Sequence, residues 1–128
     1  MLGLFNIFGR SDSLKALDQA LREIGMHPRV VPEPVKLTAV KLVKSASGGQ
    51  GKIPDAAYAH AVELLSYCIL GSDQFTANTS LDTARRAEAR FETAITDGEG
   101  LDANLILLAL HADVINAKIA ARFDVETG

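Results

Sequence analysis

Tryptophan is missing from this 128-residue chain, tyrosine occurs twice, phenylalanine five times and cysteine once, at position 68. One thiol excludes an intrachain disulfide. With histidines only at 27, 60 and 111, it also excludes four-cysteine and mixed Cys/His zinc cages. The opening stretch, MLGLFNIFGR, is apolar, but it has no basic residues ahead of its short apolar run and no clear small-residue cleavage site, so it is a poor signal peptide. No run approaches the roughly 18 uninterrupted apolar residues of a membrane span. The longest candidate, Leu105 to Leu110, soon meets His111 and Asp113. A cytoplasmic location is the simplest expectation from one unpaired cysteine.

What the chain does have is alanine, 19 residues of it, within a hydrophobic fraction of 48%, a charged fraction of 23% and a net charge of −3. Small, helix-favouring apolar residues at that density suit close helix packing, so the expected class is all-α. Periodicity divides the chain into an apolar N-terminal segment over 1–10, a bundle of about five helices over 11–123 and a tail over 124–128, all in one domain. Ser11, Asp12 and Ser13 offer N-caps, Leu14, Leu17, Leu21 and Ile24 form one stripe, and Gly25 stops the first helix. Pro34 is placed to open a second helix running to about Ala46; alternation of Val35, Leu37 and Ala39 makes a strand the rival, but no partner strand is visible. Pro54 and Asp55 open a third helix ended by Gly71, residues 72–80 read as a connection, and a fourth helix spans Leu81 to Thr96. The fifth, over 103–123 and capped by Asp102, carries two apolar faces, one with Leu105, Leu108, Ala112, Ile115 and Ile119, the other with Leu107, Leu110 and Val114. Such a helix is expected to be central or to lie at a subunit interface.

Motifs for chemistry are few. ASGGQGKI, over 46–53, resembles a phosphate loop, but alanine replaces its first glycine, Ile53 stands where Ser or Thr would bind magnesium, and Pro54 follows; it reads as an inter-helix loop. TDGEGLD, over 96–102, fails as a calcium loop because the twelfth position from Asp97 is Leu108. Ala87, Phe91 and Ala94 match the spacing of the second helix of a tetratricopeptide unit, but the preceding signature positions and a 34-residue repeat are both missing, which leaves ordinary small-large packing. His111 and Asp113, two apart on a helix, point away from each other and cannot share a proton. Cys68 falls on the apolar side of the third helix with no cation nearby in sequence, so a buried, inert thiol is expected. His60, Glu63 and Tyr67, at i, i+3 and i+7, align an imidazole, a carboxylate and a phenol, the one stripe able to line a ligand-binding or catalytic pocket; the bland reading is a solvated or partly covered polar face. No catalytic residue, metal ligand or cofactor is assigned.

Charge is unevenly spread. Residues 27–52 carry Arg29, Lys36, Lys41, Lys44 and Lys52 against Glu33, whereas 97–128 carry six acids against Lys118 and Arg122. The lysines of the second helix read as a solvated face, and nucleic-acid binding is disfavoured by the negative total and the lack of aromatics among the lysines. Leu4, Phe5 and Phe8 in the N-terminal segment, which carries no charged side chain before Arg10, are, with Leu107, Leu110 and Val114, surplus apolar surface and candidate interfaces. The sequence therefore points to a non-catalytic interaction or assembly module, with a protein partner or a second copy as its partner. A ligand-binding or enzymatic bundle built on the His60 stripe is one alternative, and peripheral membrane attachment through the N-terminal segment is another.

Overall fold

A computed structural model describes residues 11–49 and 52–125. The first helix, α1 (Asp12–Glu23), begins at Ser11, whose Oγ accepts a hydrogen bond from the Leu14 N–H at 3.2 Å. It ends in a Schellman turn: Met26 N–H reaches Leu21 O at 2.9 Å and Gly25 N–H reaches Arg22 O at 3.0 Å, with Gly25 at φ +84°. A 3₁₀ turn (Pro28–Val30) leads into α2 (Glu33–Ala46), so the 35–46 segment is helix. Then come α3 (Asp55–Leu70), α4 (Ser72–Asn78), α5 (Leu81–Asp97), α6 (Leu101–His111) and α7 (Ala117–Arg122). Every α or 3₁₀ element among the described residues belongs to this set, and no strand occurs among them. The N-terminal candidates Leu4, Phe5 and Phe8 lie outside the described residues.

Two expectations need correction. Residues 72–80 are not a simple connection, because α4 occupies most of them and buries Phe75 completely. The helix expected over 103–123 is two helices. After His111 the chain makes a second Schellman turn, with Val114 N–H on Ala109 O at 3.0 Å and Asp113 N–H on Leu110 O at 3.1 Å. Asp113 takes φ +59°, a left-handed conformation that aspartate tolerates better than most non-glycine residues. Asn116 then caps α7 by accepting from Lys118 N–H at 2.9 Å. The break ends the continuous face drawn through Leu107, Leu110 and Val114: Leu110 is buried, Val114 half-buried and only Leu107 exposed.

The central element is α3. It packs against α1, α2, α4, α5 and α6, and every residue from Ala61 to Cys68 is buried. A helix covered on all sides must bury its polar positions too, which decides the fate of the residues singled out for chemistry. Four rings form a chain across the core: Phe75 meets Tyr67 edge-on at 5.7 Å between centroids, Tyr67 meets Phe91 at 6.2 Å, and Phe91 meets Phe123 at 4.6 Å. That chain ties α4, α3, α5 and the residue after α7, and each such pair adds about 0.5–1.5 kcal/mol beyond area burial. Among the described residues, the Tyr58 hydroxyl is the buried side-chain polar atom with no hydrogen-bond partner.

Candidate functional site

The His60, Glu63 and Tyr67 stripe does not stay together. His60 is exposed, whereas Glu63 is 7% exposed and Tyr67 fully buried, because α4 and α5 cover the side of α3 that its polar residues suggested would face water. The Tyr67 hydroxyl shares a hydrogen bond with Ser72 Oγ at 3.2 Å, and burial raises its pKa. Burial likewise pushes the Cys68 thiol up to about 12, so it carries no thiolate near neutral pH.

Glu63 is held by two arginines of α5. Arg86 donates to it from Nε, at 3.2 Å to Oε1 and 3.3 Å to Oε2, and from Nη2 to Oε1. Arg90 Nη1 donates to Glu63 Oε2 at 3.1 Å and to the His60 carbonyl at 2.8 Å. The rest of its fork grips Asp102 on α6, with Nε to Oδ2 at 3.1 Å and Nη2 to Oδ1 at 2.8 Å. One guanidinium, its side chain 12% exposed, thus joins α3, α5 and α6. Burial alone would raise the Glu63 pKa, but hydrogen bonding and charge from Arg86 and Arg90 outweigh it and hold the carboxyl below its ordinary value. A carboxylate so fully engaged is a poor general base and a poor metal ligand. Among the described residues, no group of three His, Cys, Asp or Glu side chains converges as a metal site.

Arg85, Arg86 and Arg90 share α5 with Asp82, Glu88 and Glu92 at helical pairing distance. The longest-reaching contacts instead run between elements: Arg86 and Arg90 leave α5 for Glu63 and Asp102, and Glu88 pairs with Arg122 of α7. Asp102, expected as a helix cap, is half-buried in the first turn of α6 and serves as the second anchor of Arg90, while Gly100 stands at the N-cap. Lys36 is similarly displaced from the solvated lysine face. It is buried between Asp18 of α1, at 3.1 Å, and Glu33, at 3.2 Å. Lys41 and Lys44 do stay exposed, on the same stripe of α2 as Leu37.

Compared with protein-family models, curated proteins and solved structures, the chain matches none.

Two cavities bear on function. A cleft of about 390 Å³ between the end of α1, α3 and the start of α5 is lined by Glu63 with Glu23, Ile24, Ala59, Ser80 and Thr83, but neither His60 nor Tyr67 reaches it. The other is an apolar groove of about 540 Å³ between the C-terminal end of α5, α6 and the residues after α7. Its walls include Ala94, Ile95, Ala103, Ile106, Leu107 and Phe123. Ile95 is 40% and Leu107 44% exposed, so two of the five large apolar side chains most open to solvent among the described residues face one groove. Of the interface candidates read from sequence that fall among the described residues, Leu107 is the one that lines it. Ile95 was missed because its neighbours Thr96 and Asp97 marked the end of a helix and not a surface.

Proposed function

We propose that this chain is a non-catalytic helical assembly module that associates through the apolar groove between α5, α6 and the residues after α7. The observation that carries this reading is the exposure of Ile95 and Leu107 on the walls of one concave apolar surface. Chemistry built on the His60 stripe is the weaker reading, since Glu63 is occupied by Arg86 and Arg90 and Tyr67 is sealed in the core. Among the described residues no helix is long and apolar enough to cross a membrane.

Light scattering coupled to size exclusion tests the reading over about two decades of protein concentration. The full chain should rise above its 13.6 kDa monomer mass as concentration increases, and Leu107→Asp, which sets a carboxylate in the groove without emptying the core, should stay monomeric. A wild-type chain that stays at the monomer mass throughout, or a Leu107→Asp variant that associates equally well, would overturn it.

A further inference from the structure

The proposed assembly reading leaves open what fills the groove, and the chain's own charge distribution answers it. Exposed carboxylates stand at the groove's edge: Asp124 lines it, Asp97 sits between the lining residues Thr96 and Gly98, and Glu99 follows. An occupant that fits would present an apolar side chain followed by cations at helical spacing. The stripe of α2 has that composition: Leu37 is 45% exposed, and Lys41 and Lys44 follow it at i+4 and i+7, both exposed. Among the described residues, neither lysine has an ion-pair partner within 4 Å, and no residue of α2 lines the groove, so the two surfaces use separate residues.

We propose that the groove of one copy receives the Leu37–Lys41–Lys44 stripe of α2 from a second copy, joining copies head to tail. The inference rests on the assembly reading and adds the partner surface and its direction. A contact between a groove and a different surface is heterologous, so every added copy leaves one groove and one stripe free, and growth continues until a ring closes or dilution stops it. One helical stripe in one groove is a small interface, which gives concentration-dependent association and not a permanent dimer. Opposite charges at its rim make it sensitive to ionic strength, because exposed pairs lose most of their attraction when the screening length falls to a few ångströms.

Complementary blocking variants provide the test. Leu107→Asp closes the groove and leaves the stripe intact, while Lys41→Glu with Lys44→Glu reverses the stripe and leaves the groove intact. All three positions are exposed, and retention of the helical circular dichroism signal and cooperative melting confirms that each variant folds. Each variant alone should be monomeric by light scattering. Their equimolar mixture should form a complex of twice the chain mass and no larger, because only one productive pairing remains, and raised salt should dissociate it. A second variant guards against a trivial loss: adding Asp97→Lys and Asp124→Lys to the Lys41→Glu, Lys44→Glu chain should restore self-association by swapping the charges. If wild type associates but the mixture stays monomeric, or the reversed stripe associates as wild type does, the head-to-tail assignment is overturned while the assembly reading stands. If wild type never associates, both fall.

Discussion

Gly71→Ala should lower the melting temperature by about 10 to 20 °C. Gly71 joins α3 to α4 at φ +88° and ψ 167°, a region populated almost only by glycine, and holding alanine there costs about 1–3 kcal/mol. The added Cβ would also lie 2.7 Å from Nδ2 and 2.8 Å from Cγ of Asn116. Asn116 cannot simply withdraw: its N–H donates to Cys68 O at 2.7 Å, its Nδ2 donates to Leu70 O at 3.3 Å, and its Oδ1 caps α7. Losing that cap adds about 1 kcal/mol, and the disturbed docking of α7 brings the expected total to about 3–5 kcal/mol. At roughly 4 °C per kcal/mol for a chain of this size, the stated drop follows. Gly100→Ala is the matched control. Gly100 has φ +99° and ψ 178°, but a Cβ there meets nothing within 4 Å, so only the backbone strain of about 1–3 kcal/mol applies. Equal losses from the two substitutions would show that the contact with Asn116 contributes nothing.

Arg90→Met should destabilise the fold by about 3–5 kcal/mol at pH 7, measured by chemical denaturation, because it removes one partner from a largely buried ionic network and strands the others. Glu63 keeps only Arg86, Asp102 loses both bonds to Arg90, and the His60 carbonyl loses its donor from that side chain. Arg90→Lys should recover little of the loss, since an ammonium cannot reproduce a planar fork that engages three separate acceptors. The pH dependence separates this account from simple loss of packing. The folded-state pKa of Glu63 lies below its ordinary value of 4.5, so its contribution is present above that value and is lost as pH falls through the folded pKa. In Arg90→Met, burial is opposed by Arg86 alone and the folded pKa rises. The stability gap between wild type and variant should therefore narrow as pH drops from 7 to about 3. A gap of constant size would mean that Arg90 acts through its hydrocarbon stem.

The two substitutions bracket what the sequence discloses. Helix boundaries set by backbone chemistry were readable: Ser11 caps, Gly25 takes a left-handed conformation, and α3 runs from Asp55 to Leu70 as expected. The break after His111 was not, because aspartate at 113 does a turn's work without glycine and Asn116 caps from inside an apolar pattern. Burial was misjudged where a polar residue sits on a helix covered all round. Glu63, Tyr67 and Lys36 look like solvent-facing positions when only their own helix is considered, and each is buried by partners 5 to 27 residues away, Ser72, Arg86, Arg90 and Asp18 among them. The Arg90 fork in particular follows from how α3, α5 and α6 cross, which no i, i+4 rule contains. Leu107 was visible as surplus apolar surface; the groove around it exists only once α5 and the chain beyond α7 converge.

Resonances of methyl groups recorded across a dilution series test the central claim most directly, since they report which surface one copy offers another. The account predicts concentration-dependent shifts at Ile95, Ala103, Ile106 and Leu107 in the groove and at Leu37 on the α2 stripe, with the methyls of Ala59 and Thr83 beside Glu63 unchanged. Shifts centred on Ala59 and Thr83, or spectra that do not change with concentration, would contradict it.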